Sequence, residues 1–359
     1  MKKEKRKMKN GLGAFTLKIG MLFREKKIAI PAILLLIIIL CIMPRFTSLY
    51  IQRNLIMIGF YMVLAFSLNF VTGYIGEVSL GHAAFYAVGA FSVALLTTDA
   101  GMSYWSAVLV SVILCGVFGL VLAFATMRVS GTYLAILTLA FFYLIMNIIQ
   151  NWEGVTHGVV GIYDIPAAGI FGLDFSMKNG GYYYCILAYV FLSILLTRLL
   201  VNSRFGRAMK AVREDPLAST MAGINNQTFR VIAYILAGML AGLAGTLYAP
   251  FCGYINYLTF TYNMCLMILV IIITGGRGTM KGVIIGAIII APLGEILRGI
   301  ISLFDYLPTE YLPDPEQWRF VIYGLIMVVM MRLRPQGILG GKSRLPYKMP
   351  AGLDRKEEN

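Results

Sequence analysis

A succession of apolar segments constrains this chain more than any other feature, because apolar segments of about 20 residues cross a lipid bilayer as helices. Hydrophobic residues make up 59% of the 359 residues and charged residues only 13%, against about 25% charged residues in soluble domains. This composition excludes a soluble enzyme and a disordered chain. We predict an all-α, polytopic membrane helix bundle of about ten spans. The predicted spans are 28–43, 54–72, 80–98, 105–126, 132–150, 182–200, 231–251, 263–274, 282–301 and 320–331.

The distribution of Lys and Arg predicts the direction in which the spans run, because positive residues collect in the cytoplasmic loops of membrane proteins. With a cytoplasmic N-terminus, 26 of the 31 Lys and Arg residues fall on the cytoplasmic side, ten of them in residues 1–27. No small-x-small cleavage site follows the first apolar run, so we interpret it as a retained span. We expect a basic arm (1–27), a transmembrane domain (28–331) with a cytoplasmic loop at 201–230, and a tail (332–359), with both termini cytoplasmic.

A polar, glycine-rich segment with the sequence GYIGEVSLGHA occupies residues 73–83, where two apolar spans meet. Irregular backbone at membrane depth is tolerated where it is buried in protein or lines a cavity, and broken helices of this kind mark binding sites in transporters. The segment is therefore a candidate lining of a transport path. A tight turn at the cytoplasmic face, with a solvated carboxylate, is the open alternative. The candidate path residues are Gly73, Gly76, Glu77, Ser79, Gly81 and His82.

The long cytoplasmic loop carries signals for two short helices, at about 206–213 and 216–222. Asp215 is a good N-cap and Pro216 suits the first position of a helix, while Gly223 suits the position just after a helix end. Such an element is suited to docking a cytoplasmic partner, and a solvated linker explains the same signals equally well.

The remaining motifs mainly argue against nucleotide, metal and cofactor sites in this chain. The glycine-rich loops at 274–282 and 336–343 do not have the spacing of a phosphate-binding loop, so ATP, if it drives this protein, binds to another chain. The two histidines and five cysteines form no ligand pattern, so we expect neither a metal site nor a cofactor. Glu295 and Arg298 lie three residues apart in the ninth span, and we predict that they form a mutually neutralising structural ion pair. A substrate contact is the alternative.

Several of these motifs together resemble the LivM-type permeases of bacterial branched-chain amino acid ABC importers, over about residues 50–340. The resemblance is carried by residues 73–85, by GTYLAILTL at 131–139, by SRFGRA at 203–208 with its continuation through 213–215 to 222–224, by AGLAGTLYA at 241–249, by GGRGT at 275–279, by EILR at 295–298 and by RPQGI at 334–338.

This resemblance implies an inner-membrane subunit without enzymatic activity that translocates branched-chain amino acids by alternating access. It implies as partners a second, LivH-like permease, two cytoplasmic ATP-binding subunits and an extracytoplasmic binding protein. Loop 204–224 then matches the coupling loop, and the implied ATPase-coupling residues are Arg213, Glu214, Asp215, Leu217, Ala218, Thr220 and Gly223. Related permeases carry urea or short amides, so the substrate stays open. An ion-coupled secondary transporter that uses Glu77 as its coupling carboxylate is a rival from another class. An intramembrane enzyme is a further rival, for which no catalytic set is readable.

Overall fold

The computed structural model describes residues 42–129, 131–170, 173–177, 179–296, 315–334 and 336–339. Within these ranges the regular secondary structure is helical apart from one hairpin of two-residue strands, in which β1 (Gly169–Ile170) pairs antiparallel with β2 (Leu173–Asp174). The longer helices are α1 (Leu49–Leu68), α2 (His82–Thr98), α3 (Tyr104–Thr126), α4 (Thr132–Asn151), α5 (Gly181–Asn202), α6 (Arg204–Glu214), α7 (Pro216–Met221), α8 (Asn226–Cys252), α9 (Tyr262–Gly275), α10 (Met280–Ile290) and α11 (Pro315–Leu333).

Helices occur where nine of the ten spans are predicted, although the ninth can be followed only as far as residue 296. The first predicted span, at 28–43, lies almost wholly outside the described residues. Within the described ranges, six helical segments are long and apolar enough to cross a membrane. The helix that contains α1 is one of them and runs from Leu49 to Ile75. The chain is therefore a multi-pass helical membrane protein.

Helix α8 packs closely against α2 and α3, because its contact face carries glycine in place of larger residues. A Cβ atom on Gly245 would lie 2.7 Å from the amide nitrogen of Ala90, and one on Gly238 would lie 2.6 Å from the carbonyl oxygen of Cys115. Backbone therefore touches backbone at both interfaces. The small-residue spacing of the seventh predicted span indicates this packing, which is the usual way for membrane helices to approach closely.

Helices α9 and α10 form a second close pair, again through glycine. A Cβ atom on Gly286 would lie 3.1 Å from the carbonyl carbon of Ile271, and one on Gly282 would lie 2.6 Å from the carbonyl oxygen of Gly275. The turn between these helices comprises residues 276–279.

A break interrupts the chain between α1 and α2. Helix α1 continues without interruption into a π-helix, Asn69–Ile75, which ends at Gly76 with a φ of +92°. That conformation is unfavourable for residues with a Cβ atom. Residues 77–81 are not helical, and α2 begins at His82. We call residues 69–81 the helix break.

The two short helices predicted in the long loop are present as α6 and α7. The side chain of Asp215 accepts hydrogen bonds from the backbone nitrogens of Leu217 and Ala218, at 2.9 and 3.0 Å, and Pro216 occupies the first position of α7. The predicted capping is therefore confirmed. Gly223 follows α7 with a φ of +80°, in the left-handed conformation expected after a helix end.

Candidate functional site

The helix α6 lies against the helix break. The guanidinium of Arg213, in the last turn of α6, donates a hydrogen bond to the carbonyl oxygen of Gly73. The stem of the same side chain passes Gly76, where an added Cβ atom would lie 3.0 Å from the Cγ atom of Arg213. Two motifs that are 140 residues apart in sequence are therefore in direct contact. We call this contact region, formed by α6, α7 and the helix break, the junction.

Glu77 is the charged residue of the break and is almost fully covered. Its carboxylate forms an ion pair with Arg230 of α8, and the side chains are 10% and 22% exposed, respectively. The hydroxyl of Tyr234, one turn further along α8, donates a second bond to this carboxylate at 3.2 Å. Burial raises the pKa of Glu77, and the charge of Arg230 and the bond from Tyr234 act against that rise. Glu77 is therefore neither solvated nor free: it fastens the break to α8.

The glycine-rich turn between α9 and α10 completes the junction. The side-chain oxygen of Asn69 accepts a hydrogen bond from the backbone nitrogen of Gly278 at 2.9 Å. On the other side of the turn, the backbone nitrogens of Ile338 and Leu339 donate to the carbonyl oxygens of Thr274 and Gly275 at 2.9 and 3.0 Å. The glycines of both loops thus allow close backbone packing, which explains a glycine-rich sequence without phosphate-loop spacing.

The second half of the break contacts a different helix. The backbone nitrogen of Leu80 donates to the hydroxyl of Thr138 in α4 at 3.0 Å, and a Cβ atom on Gly81 would meet the carbonyl oxygen of Thr138 at 2.5 Å. Ser79 and His82 are both buried, with 3.4 Å between the Ser79 hydroxyl and the His82 Nδ1 atom. The candidate path residues therefore lie in one short segment that contacts α4, α6 and α8; Gly73, Ser79, Gly81 and His82 are buried, whereas Gly76 is exposed.

A groove of about 370 Å³ opens between the break and α6–α7. Its lining consists of Ile75, Gly76, Glu77, Val212, Arg213, Pro216, Asn226 and Arg230. Beyond the groove, α7 presents an apolar tip to solvent, where Leu217 is 70% and Met221 81% exposed. The remaining predicted coupling residues are also exposed: Glu214, Asp215, Ala218, Thr220 and Gly223.

The opposite end of the bundle is held by backbone pairing. Ile162, in the loop after α4, and Ile255, just after α8, exchange two backbone hydrogen bonds of 2.9 and 3.2 Å. Beside them the rings of Tyr163 and Tyr254 stack with a centroid separation of 4.4 Å. The loop that follows α4 is therefore attached to the C-terminal end of α8.

The predicted pair of Glu295 and Arg298 cannot be assessed, because Arg298 lies outside the described residues. Glu295 contributes to a small cavity of about 80 Å³ together with Asn54, Tyr61 and Met267. The ion pair stays a prediction.

Sequence reasoning did not identify three residues of the junction. Arg230 is one of the 26 Lys and Arg residues assigned to the cytoplasmic side, and its sequence gives no sign of an ion pair. Asn69 and Tyr234 lie within predicted apolar spans. A signal was available for Asn69, since an amide inside an apolar span needs a partner in a helix bundle.

These features define a multi-pass helical membrane protein in which a capped pair of short helices is attached to a break between two membrane helices. The chain belongs to the family of permease components of branched-chain amino acid transport systems, whose sequence profile matches residues 50–331. Members of this family are subunits of ABC importers and are not enzymes, as the sequence analysis expected.

Individual relatives agree with this assignment. The chain is 30% identical to the high-affinity branched-chain amino acid transport permease LivM of Escherichia coli K12, over 83% of this chain and 72% of the relative. It is 25% identical to LivH of the same organism, over 78% of this chain and 91% of the relative. A fructose import permease of Rhizobium meliloti, FrcC, is 26% identical over 45% of this chain and 43% of its own length. No solved structure matches the chain.

Proposed function

We propose that this permease subunit translocates branched-chain amino acids across a bacterial inner membrane by alternating access. Its partners are a second, LivH-like permease, two cytoplasmic ATP-binding subunits and an extracytoplasmic binding protein. The substrate assignment is supported by the family and by the names of the LivM and LivH relatives. The pairing of two permeases is supported by the similarity of this chain to both of them.

The junction is the observation that carries the mechanism. A docking element needs an accessible surface on one side and a firm attachment to the moving helices on the other. Helix α7 provides the surface through Leu217 and Met221, and Arg213 provides an attachment at Gly73. We assign α6 and α7 to the contact with the ATP-binding subunits, and the helix break to the transport path.

The topology that we propose has ten spans, with the basic arm, the tail and the α6–α7 element all in the cytoplasm. Its support is the distribution of Lys and Arg, because positive residues collect in cytoplasmic loops. Under this topology the loop that contains Ile162 lies on the outer face, where a binding protein would deliver substrate.

The ion-coupled alternative is less consistent with the environment of Glu77. A coupling carboxylate has to bind and release a cation during each cycle. Glu77 is instead paired with Arg230 and hydrogen-bonded by Tyr234, so its charge is already neutralised by groups of the protein.

The test is uptake by the assembled transporter in liposomes that contain ATP. We expect ATP-dependent uptake of radiolabelled leucine, isoleucine or valine that persists when ionophores collapse the ion gradients. Uptake without ATP that ionophores abolish would establish the ion-coupled alternative. Uptake of urea or acetamide in place of the amino acids would reassign the substrate while leaving the transporter class unchanged.

A pair of matched variants tests the docking surface. Leu217 and Leu258 are 70% and 63% exposed, but Leu258 lies in the connection that follows α8, at the opposite end from the junction. We expect Leu217→Asp to abolish co-purification of the ATP-binding subunits and Leu258→Asp to leave it intact. Equal retention of these subunits by both variants would contradict the assignment of α7.

A further inference from the structure

Arg213 is placed where three segments of the chain meet. Its guanidinium bonds the carbonyl oxygen of Gly73 at the end of the π-helix. An added Cβ atom on Gly278, in the turn between α9 and α10, would collide with the same guanidinium and would lie 2.6 Å from the Gly73 carbonyl oxygen. The turn is in addition hydrogen-bonded to Asn69 of the π-helix. One side chain of α6, itself partly exposed, thus contacts both the helix break and the α9–α10 turn.

The bond from Arg213 satisfies a group that the helix itself leaves open. The last carbonyl groups of a helix have no intrahelical partner. The backbone nitrogens of Gly76 and Glu77 both donate to the carbonyl oxygen of Val71, because Gly76 ends the π-helix in a left-handed conformation. The Gly73 carbonyl is passed over by this turn and takes its donor from α6. Displacing α6 would therefore withdraw that donor from the break.

We propose that Arg213 is a positioning residue that transmits movement of α6 and α7 to the helix break, so that ATP hydrolysis in the partner subunits is coupled to reopening of the path. This inference rests on the proposed function. Among the described residues, the Arg213–Gly73 bond is the side-chain hydrogen bond that joins α6 directly to the break. The Glu77–Arg230 pair, in contrast, joins the break to α8.

The chain offers a matched control in the same helix. The guanidinium of Arg207 also donates to a backbone carbonyl, that of Asn202, at 3.2 Å. That acceptor belongs to the end of α5, five residues earlier in the chain, and is not part of the break. Arg213→Met and Arg207→Met each remove one guanidinium bond to backbone from α6 while keeping an unbranched apolar stem.

The first measurement is the number of leucine molecules transported per ATP hydrolysed by the reconstituted transporter. We expect Arg213→Met to lower this ratio about 10-fold or more, as the loss of one hydrogen bond to a charged group implies, while ATP hydrolysis and co-purification of the ATP-binding subunits persist. Arg207→Met should keep the wild-type ratio. An unchanged ratio in Arg213→Met, or an equal loss in both variants, would overturn the proposal.

The second measurement reports movement directly. Ser79 is buried in the break and Thr220 is exposed on α7, and each is replaced by Cys for labelling with a maleimide. We expect ATP and vanadate to change the labelling rate at both positions in the otherwise wild-type transporter. With Arg213→Met the change at position 79 should vanish and the change at position 220 should remain. A persisting change at position 79 would contradict the proposal.

Two further outcomes are decisive. If Arg213→Met does not assemble, Arg213→Gln replaces it in both assays, because the glutamine side chain is polar and unbranched but too short to place a donor where the guanidinium of Arg213 lies. A wild-type ratio in that variant would contradict the proposal. A wild-type transporter without ATP-dependent uptake would refute the proposed function instead. ATP-dependent uptake without any response at position 79 would refute only the role of Arg213.

Discussion

Replacing Gly245 with Ala tests the view that backbone contact holds the centre of the bundle together. The new Cβ atom would lie 2.7 Å from the backbone nitrogen of Ala90 and 3.2 Å from the carbonyl carbon of Gly89, and it would overlap the carbonyl oxygen of Tyr86. None of these atoms is the end of a flexible side chain. Helices α8 and α2 would have to separate by roughly 1 Å to restore ordinary carbon contact distances.

The cost of that separation follows from the nature of the interface. Overpacking in a tight core costs about 1–3 kcal/mol, and membrane helices gain no compensating hydrophobic energy from association. We therefore expect a loss near 3 kcal/mol in the free energy of unfolding. Gly324, in α11, is the matched control, because no described atom outside its own helical turn lies within 4 Å of the position of its Cβ. Ala in an open helical position gains about 1 kcal/mol over Gly.

The assay is the thermal midpoint of the detergent-solubilised protein, measured by size-exclusion chromatography of heated samples. We expect Gly245→Ala to lower the midpoint by at least about 5 °C, and Gly324→Ala to leave it unchanged or slightly raised. If Gly245→Ala retains the wild-type midpoint, or if both variants shift alike, the bundle does not depend on close approach of α8 to α2.

Three other predictions concern the junction. Glu77→Gln and Arg230→Gln should each lower the yield of folded protein, since breaking a largely buried ion pair costs about 3–5 kcal/mol and proportionally less where water reaches it. The double variant should recover part of that yield. A double variant with a larger loss of yield than the sum of the two single losses would contradict the pairing. A single cysteine at Leu217 should cross-link to an ATP-binding subunit in the assembled, active transporter, and its failure to do so, together with that of its neighbours in α7, would count against docking there. Gly76→Leu should abolish uptake without preventing assembly, because the backbone at position 76 has a positive φ and the new side chain would collide with Arg213 of α6. Gly101→Leu is the control, since Gly101 also has a positive φ but has open surroundings, and this variant should transport normally. Normal uptake by Gly76→Leu would refute the requirement for glycine at position 76.

The sequence predicted local structure more successfully than it predicted contacts. Asp215 and Gly223 act as the cap and the stop that their types suggest, because capping depends on a few neighbouring residues. The π-helix could not be foreseen, since the residue types of Asn69–Ile75 do not distinguish an α-helical turn from a wider one. The ion pair of Glu77 could not be predicted either, because its partner Arg230 is distant in sequence and the residues around each of them give no sign of the pairing.

The glycine-rich loop at 274–282 shows why the assembly of the junction escaped sequence reasoning. Its failure to match a phosphate loop was readable, but its packing role was not. The acceptor for the Gly278 nitrogen is Asn69, 209 residues earlier in the chain. Contacts between residues so far apart in sequence depend on which helices are neighbours in the bundle. The periodicity of hydrophobic residues does not reveal which helices are neighbours.

Helix α8 has the geometry of a lever with arms of unequal length. It spans 27 residues and is about 40 Å long, with Arg230 fastened to the break near one end and Ile255 paired across the loop beyond the other. Gly242, where α8 touches both α2 and α3, lies about 24 Å from the first end and about 15 Å from the second. A tilt of about 5° around this pivot would swing the ends in opposite directions, by about 2 Å at the junction and about 1.3 Å at the opposite face. A single rotation of α8 would therefore narrow one end of the bundle while widening the other, and the larger displacement would occur at the end that carries α6 and α7.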